Sequence, residues 1–305
     1  MNKRYNFHLM LILALGITTL HLRGQPYRSY LNAAYKQSLE RAGFKVTPNL
    51  SSLATNSDTR PLLLKLAFHI VNHKTSETRL TKGDIEKQLQ TLIRDFNGKT
   101  FENSAHTRHL YGHLATDTGI TFCSQFSVDF VLTDSTEFKS FQSVKSAKTG
   151  GADALTPAKI INIWVCNLAS GAGYAQLPGL PLDTDGIVID QEYVEREALK
   201  ESRYNKGKTL THLMGNYLGL MDLWGWGGCE DDGIPDTPTH SAPTLQAGKA
   251  LSLCYRYVVY QMNINFMDNT PDADLCMFTQ GQKEKMQQEL RTRRRELLVW
   301  EDCTR

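Results

Sequence analysis

The chain has 305 residues, 41% of them hydrophobic and 22% charged, with a formal net charge of +2. Such a composition describes a soluble globular protein with a substantial core, in one large domain or two closely packed ones. So small a net charge excludes any overall electrostatic case for nucleic acid or an anionic membrane as partner.

At the N-terminus, MNKRYNFH places two cations ahead of LMLILALGITTL, an apolar run too short to span a bilayer comfortably. This is the layout of a cleavable signal peptide over residues 1–24, ending near Gly24, with an uncleaved anchor as the alternative. No cysteine lies near its end, which argues against a lipid anchor. Residues 25–60 are polar, with a helical stretch (YLNAAYKQSLERAG) and a Ser, Thr and Asn-rich linker, and read as an N-terminal arm or pro-segment. The mature chain is therefore expected outside the cytoplasm, secreted or periplasmic. Six cysteines (Cys123, Cys166, Cys229, Cys254, Cys276, Cys303) suit an oxidising compartment, and none forms a C-x-x-C pair.

From residue 61 onward the pattern is that of a single layered α/β domain running to residue 305. LLLKLAFHIVNH has the length and β-branched content of a buried strand, and Ile85, Leu89, Leu92, Ile93 and Phe96 recur at helical spacing over Lys82–Asn97. His69, on the apolar face of that strand, reads as a core histidine rather than a ligand. Further strands are expected at ITFCSQFSVDFVL and KIINIWVCNL. In GKTLTHLMGNYLGLMDLWG, Leu210, Met214, Tyr217 and Leu218 share a helical face, and Gly219 sits where the helix should stop. A long Gly, Asp and Pro-rich loop follows, of the kind pinned by disulfides or ions. The last expected helix, in TQGQKEKMQQELRTRRRELL, should pack on the outside with the Arg291–Arg295 run as a solvated face at its carbonyl end.

Metzincin peptidases bind zinc through H-E-x-x-H-x-x-G-x-x-H. Histidines four apart share a helix face, the glycine allows a sharp turn, and a third histidine completes the ligand set. In this chain the same frame reads His212, Leu213, Asn216, Gly219, Asp222, so only the first ligand and the glycine survive. The surrounding elements nevertheless form an ordered series: AFHIVNH, DIEKQLQTLIRDFN, ITFC, NIWVCNL, GYAQLPG, DGIVID, GKTLTH, YLGL, GGC, DTP, NFMD and FTQGQKEKM. Over roughly Leu62 to Leu298 the chain resembles the pappalysin family of metzincins.

That resemblance implies a metzincin (zincin-like) α/β fold: a twisted, mostly parallel sheet with an edge strand, an active-site helix beneath it, and an irregular C-terminal half around a Met-turn containing Met267. It also implies four losses. Leu213 replaces the glutamate that serves as general base, Asn216 and Asp222 replace zinc-binding histidines, and Asn269 replaces the Met-turn tyrosine. Zinc binding is therefore expected to be weak, because an amide is a poor neutral donor, and hydrolysis absent, since leucine cannot accept a proton. The alternative is an active zinc metalloendopeptidase with atypical ligands, His240 being one candidate. The loop after the helix offers Asp231, Asp236 and Thr237, beside Asp232, as hard oxygen donors for calcium; a solvated acidic turn is the competing reading. Relatives also imply a Cys229–Cys254 disulfide, and leave open Cys276 with Cys303 or Cys123 with Cys166. The function expected is a catalytically inactive homologue whose cleft binds an extended peptide or protein.

Overall fold

The computed structural model describes residues 28, 36, 37, 40, 41, 62–76, 79–105, 109–180, 182–195, 203–246, 248–299 and 303. The expected signal peptide lies outside them, as does the arm apart from its five described positions.

A five-stranded sheet forms the frame, in the order β5 (Ser127–Thr133), β2 (Leu66–His73), β6 (Ile161–Cys166), β8 (Ile187–Asp190), β7 (Gly173–Ala175). All neighbours are parallel except β7, which runs antiparallel to β8 at one edge. Strands β6 and β8 are buried along their whole length, as expected for the interior of a parallel sheet covered on both faces. Helix α1 (Lys82–Phe96) begins with a capping box in which Thr81 and Asp84 satisfy each other's backbone N–H, and it buries Ile85, Leu89, Leu92 and Phe96 in the main core. Helix α2 (Lys208–Tyr217) is buried at every residue and joins that core through Leu210, Leu213, Met214 and Tyr217.

Two expectations are refined here and a third is met. The first apolar run is two strands, β1 (Leu62–Leu64) and β2, broken at Lys65; β1 pairs instead with β4 (Ile120–Phe122). His69 is a core histidine, as expected: its Nε2 is 2.9 Å from Asn162 Oδ1 and its ring stacks on Trp164. Arg294, however, is buried rather than solvated, an outcome no local pattern signals. Its guanidinium pairs with Asp185, donates to the carbonyls of Tyr217 and Gln176, and lies 3.6 Å from the Tyr217 ring centre. It thereby ties the segment after helix α3 (Gln280–Arg291) to the end of α2.

The cysteine pairing differs from the looser alternatives. Cys229–Cys254 is present, but Cys123 pairs with Cys303, while Cys166 and Cys276 are buried thiols. Topology supplies the reason: the C-terminal segment bridges β1 at Leu64–Leu298, Cys123 N–H donates to Leu64, and so both cysteines flank one strand. Burial pushes the Cys276 thiol up to about 11, away from thiolate chemistry.

On the far face of the sheet Lys145 is buried between the Trp164 and Tyr174 rings and donates to Thr184 O. Burial pushes its ammonium down to about 8, against the opposing pull of Asp185 and Asp183. Because the folded state gives up this proton more readily than the unfolded one, stability should rise as pH goes from about 8 towards 10.5 and be flat below that window. A Lys145→Met chain should lack that rise, by about 3 kcal/mol. Parallel pH–stability curves for the two proteins would refute the assignment.

Candidate functional site: a closed His–Asp–Asn cluster beneath the sheet

Helix α2 starts after Gly207, whose positive φ of 71° lets the chain turn into the first turn. Its N-terminus is capped from a distance: Asp272 accepts from the backbone N–H of Lys206 at 2.7 Å and of Lys208 at 3.2 Å. Lys208 Nζ and the Thr211 hydroxyl both reach the buried carboxylate of Asp95 on α1, which fixes the helix in rotation. At its other end Gly219 has φ of 90°, and a side chain there would overlap Glu289. The glycine stop foreseen from the sequence is therefore both conformational and steric.

Below the helix, Met267 is fully buried, its sulfur lying where a side chain on Gly215 would go. The expected Met-turn is in place. His212 Nδ1 is 2.8 Å from Phe266 O and its Nε2 is 2.9 Å from Asp222 Oδ1. Asn216 Nδ2 donates to the same Asp222 oxygen at 3.1 Å and to Leu220 O at 3.2 Å. The three positions that the metzincin frame singles out are thus brought together, and all three are inaccessible to solvent.

They meet as a hydrogen-bonded cluster. Two tetrahedral zinc ligands with bonds of about 2.0–2.2 Å stand roughly 3.3 Å apart, whereas the histidine and aspartate atoms are in direct contact at 2.9 Å. With Nδ1 directed at a carbonyl, Nε2 and the Asp222 oxygen need a proton between them to be so close in a dry site. Asn216 turns its amide nitrogen, a donor, toward the aspartate, and its Oδ1 finds no hydrogen-bond partner among the described residues. Among the described residues no group of three His, Cys, Asp or Glu converges as a metal site. As described, these side chains are joined to one another by hydrogen bonds and present no three-ligand set.

The remaining candidates lie around this centre. Leu213 is fully buried in the main core, and its Cδ1 occupies the space in which a Cβ on Gly173 of β7 would sit. His240 cannot act as a substitute ligand while Nε2 accepts from Met262 N–H at 2.8 Å and the ring flanks the Asp268 carboxylate at 3.6 Å. In the loop after Cys229, Asp231 accepts from Gly233 N–H. Thr237 donates to Asp232, and Asp236 accepts from Thr279 Oγ1 and Gly281 N–H at the start of α3. Asp232 is the more unusual carboxylate: burial pushes it up to about 7, although Ile234 and Thr237 donate to it.

One residue of the site had no signature in the sequence. Arg28, from the N-terminal arm, is fully buried. Its guanidinium pairs with Asp272 at 2.6 Å, donates to Thr209 Oγ1 and Thr270 O, and lies 4.6 Å from the Tyr204 ring centre. Its backbone N–H donates to Asn269 Oδ1 at 2.9 Å. Asn269, the replaced Met-turn position, is therefore a docking point for the arm. Thr209 and Tyr204 complete a socket that only the folded chain assembles.

Fold and site together define a protein of the metallopeptidase type. The peptidase family model described as pregnancy-associated plasma protein-A matches residues 146–291. Mature mirolysin of Tannerella forsythia, solved in complex with a cleaved peptide, is 30% identical, with 78% of this chain and 96% of that chain covered and a TM-score of 0.70. A promirolysin mutant from the same organism superposes with a TM-score of 0.73 at 28% identity, over 88% of this chain and 91% of that one. An extracellular metalloprotease of Arthroderma benhamiae is 25% identical over 252 residues, covering 78% of this chain and 75% of the relative. The chain belongs to the pappalysin family of metallopeptidases.

Proposed function

We propose that this protein is an exported pseudopeptidase, a member of its family that keeps the substrate cleft and has lost the chemistry. The observation that carries this reading is the direct His212–Asp222 contact, backed by Asn216, which fills the metal position with a proton-linked pair. Leu213 adds the second deficit, since an apolar side chain packed on β7 offers no general base. Zinc binding is weak on this account, because an ion must separate the pair and displace the proton it shares. The acidic loop is read as a folded turn, as its carboxylates are spent on its own backbone, on Thr237 and on the start of α3.

Peptide binding in the cleft is supported from two sides. Mirolysin was solved with a cleaved peptide. Within this chain, the Arg28 socket holds the backbone N–H and the side chain of one residue of the N-terminal arm, so a peptide residue of similar chemistry can be held there. Export is supported by the extracellular relatives and by the sequence of residues 1–24.

The test is elemental analysis of the purified protein together with a peptide-cleavage assay, with and without chelator. Well under one zinc per chain and no chelator-sensitive cleavage are expected. Stoichiometric zinc with cleavage that a chelator abolishes would establish an active enzyme with unforeseen ligands instead.

A further inference from the structure

Strand β5 closes the five-stranded sheet at the edge opposite β7 and has β2 as its one partner in that sheet among the described residues. Thr133 O accepts from Lys74 N–H on the β2 side. Since the N–H and C=O of a strand residue point the same way and alternate from residue to residue, Ser127, Asp129, Val131 and Thr133 face β2. Val128, Phe130 and Leu132 therefore present their backbone groups outward. These same three residues share one face of the sheet, continuing the stripe of Phe68, Ile70 and Asn72 on β2. Val128 packs against the main core, but Phe130 is 49% exposed and Leu132 is 53% exposed.

Exposed edges are normally blunted by lysine, proline or a bulge. The stretch SVDFVLT has no lysine or proline, and it pairs with β2 in unbroken register over all seven residues. Its one charge, Asp129, does not lie on the apolar stripe.

We propose that β5 is a homodimer interface, at which a second copy of this chain adds its own β5 antiparallel about a two-fold axis through Phe130. In that register Phe130 faces Phe130, and Val128 faces Leu132 in both directions. Each outward residue exchanges both of its backbone hydrogen bonds with its mate, which satisfies the whole exposed edge. The cross-strand neighbours are all apolar, and such pairs are the unit of sheet stability. Asp129 falls opposite Val131 rather than opposite its own copy, so no like charges meet. A sequence that is apolar at 128, 130 and 132 is complementary to itself when reversed, which is what an isologous interface requires and what singles out a second copy over an unrelated strand.

The full chain, purified from its exported form, should sediment at twice the protomer mass at micromolar concentration. Phe130→Pro removes an outward N–H and none directed at β2, so that variant should keep its fold by circular dichroism and lose the dimer; Phe130→Lys should do the same by charge. Oxidation of Phe130→Cys should give a covalent dimer, because paired residues of this kind sit about 5.5 Å apart between Cα atoms. Asp129→Cys, facing Val131, should not cross-link. A chain that stays monomeric up to about 100 µM, a dimer that survives both Phe130 substitutions, or cross-linking at 129 instead of 130 would each overturn the proposal.

Discussion

A chain carrying Asn216→His and Asp222→His should bind close to one zinc per molecule, where the native protein binds far less. The frame for this gain is already built: His212 is oriented by Phe266 O, Met267 lies beneath, and Gly219 turns the chain so that position 222 returns to the helix. Removing the aspartate also removes the acceptor that now holds His212 Nε2, freeing it as a ligand. Peptide cleavage should remain absent in the double variant. Adding Leu213→Glu supplies a general base, a contribution on the order of 10²–10⁴-fold in rate, and cleavage should then appear. Two local conditions oppose this step. Residue 213 lies in an apolar core against Gly173, so a carboxyl there is desolvated and its pKa raised. Asn269, which a further change to tyrosine would restore, holds the backbone of Arg28, so that change calls for a chain without its arm. Zinc content is measured first and activity second. A double variant that folds normally and takes up no more zinc than the native chain would show that the frame around the helix has been rebuilt.

Replacing Arg294 by alanine should cost about 3–5 kcal/mol of stability, the range for breaking a buried ion pair on one side. Without the guanidinium, Asp185 keeps the Tyr217 hydroxyl, at 2.6 Å, but loses its direct ion-pair partner in a dry environment and retains only the electrostatic pull of Lys145. Tyr217 also loses the cation over its ring and its carbonyl loses a donor, so the end of α2 and the segment after α3 come apart together. Arg295→Ala, at an exposed neighbour, should change stability by less than about 0.5 kcal/mol. Urea unfolding of the two variants makes the comparison, and equal midpoints would mean that Arg294 is a surface cation after all. Replacing both Arg294 and Asp185 with leucine should recover part of the loss, because the larger share of the penalty is the unpaired charge.

What the sequence determined by itself was periodic or local. Strand against helix, the span of α1 and the glycine stop at Gly219 follow from hydrophobic spacing, the altered positions 213, 216 and 222 from a motif confined to eleven residues of one helix and turn, and Asn269 from the Met-turn segment in the ordered series that carries the resemblance. Such signals survive because short-range geometry sets them. The tertiary structure decided how the substituted side chains relate to one another. Nothing in a linear pattern states that Asp222 would bond His212 directly rather than share a metal with it, since that depends on how closely the turn folds back against the helix. The Cys123–Cys303 pairing spans 180 residues and follows from the C-terminal segment lying along β1. Arg294 was legible as one cation in a basic run, yet it is buried because Asp185, more than a hundred residues earlier, waits beside Tyr217. Arg28 had no signature at all: its socket is assembled from Thr209, Tyr204, Thr270 and Asp272, and a site made of long-range contacts exists only once the chain has closed around it.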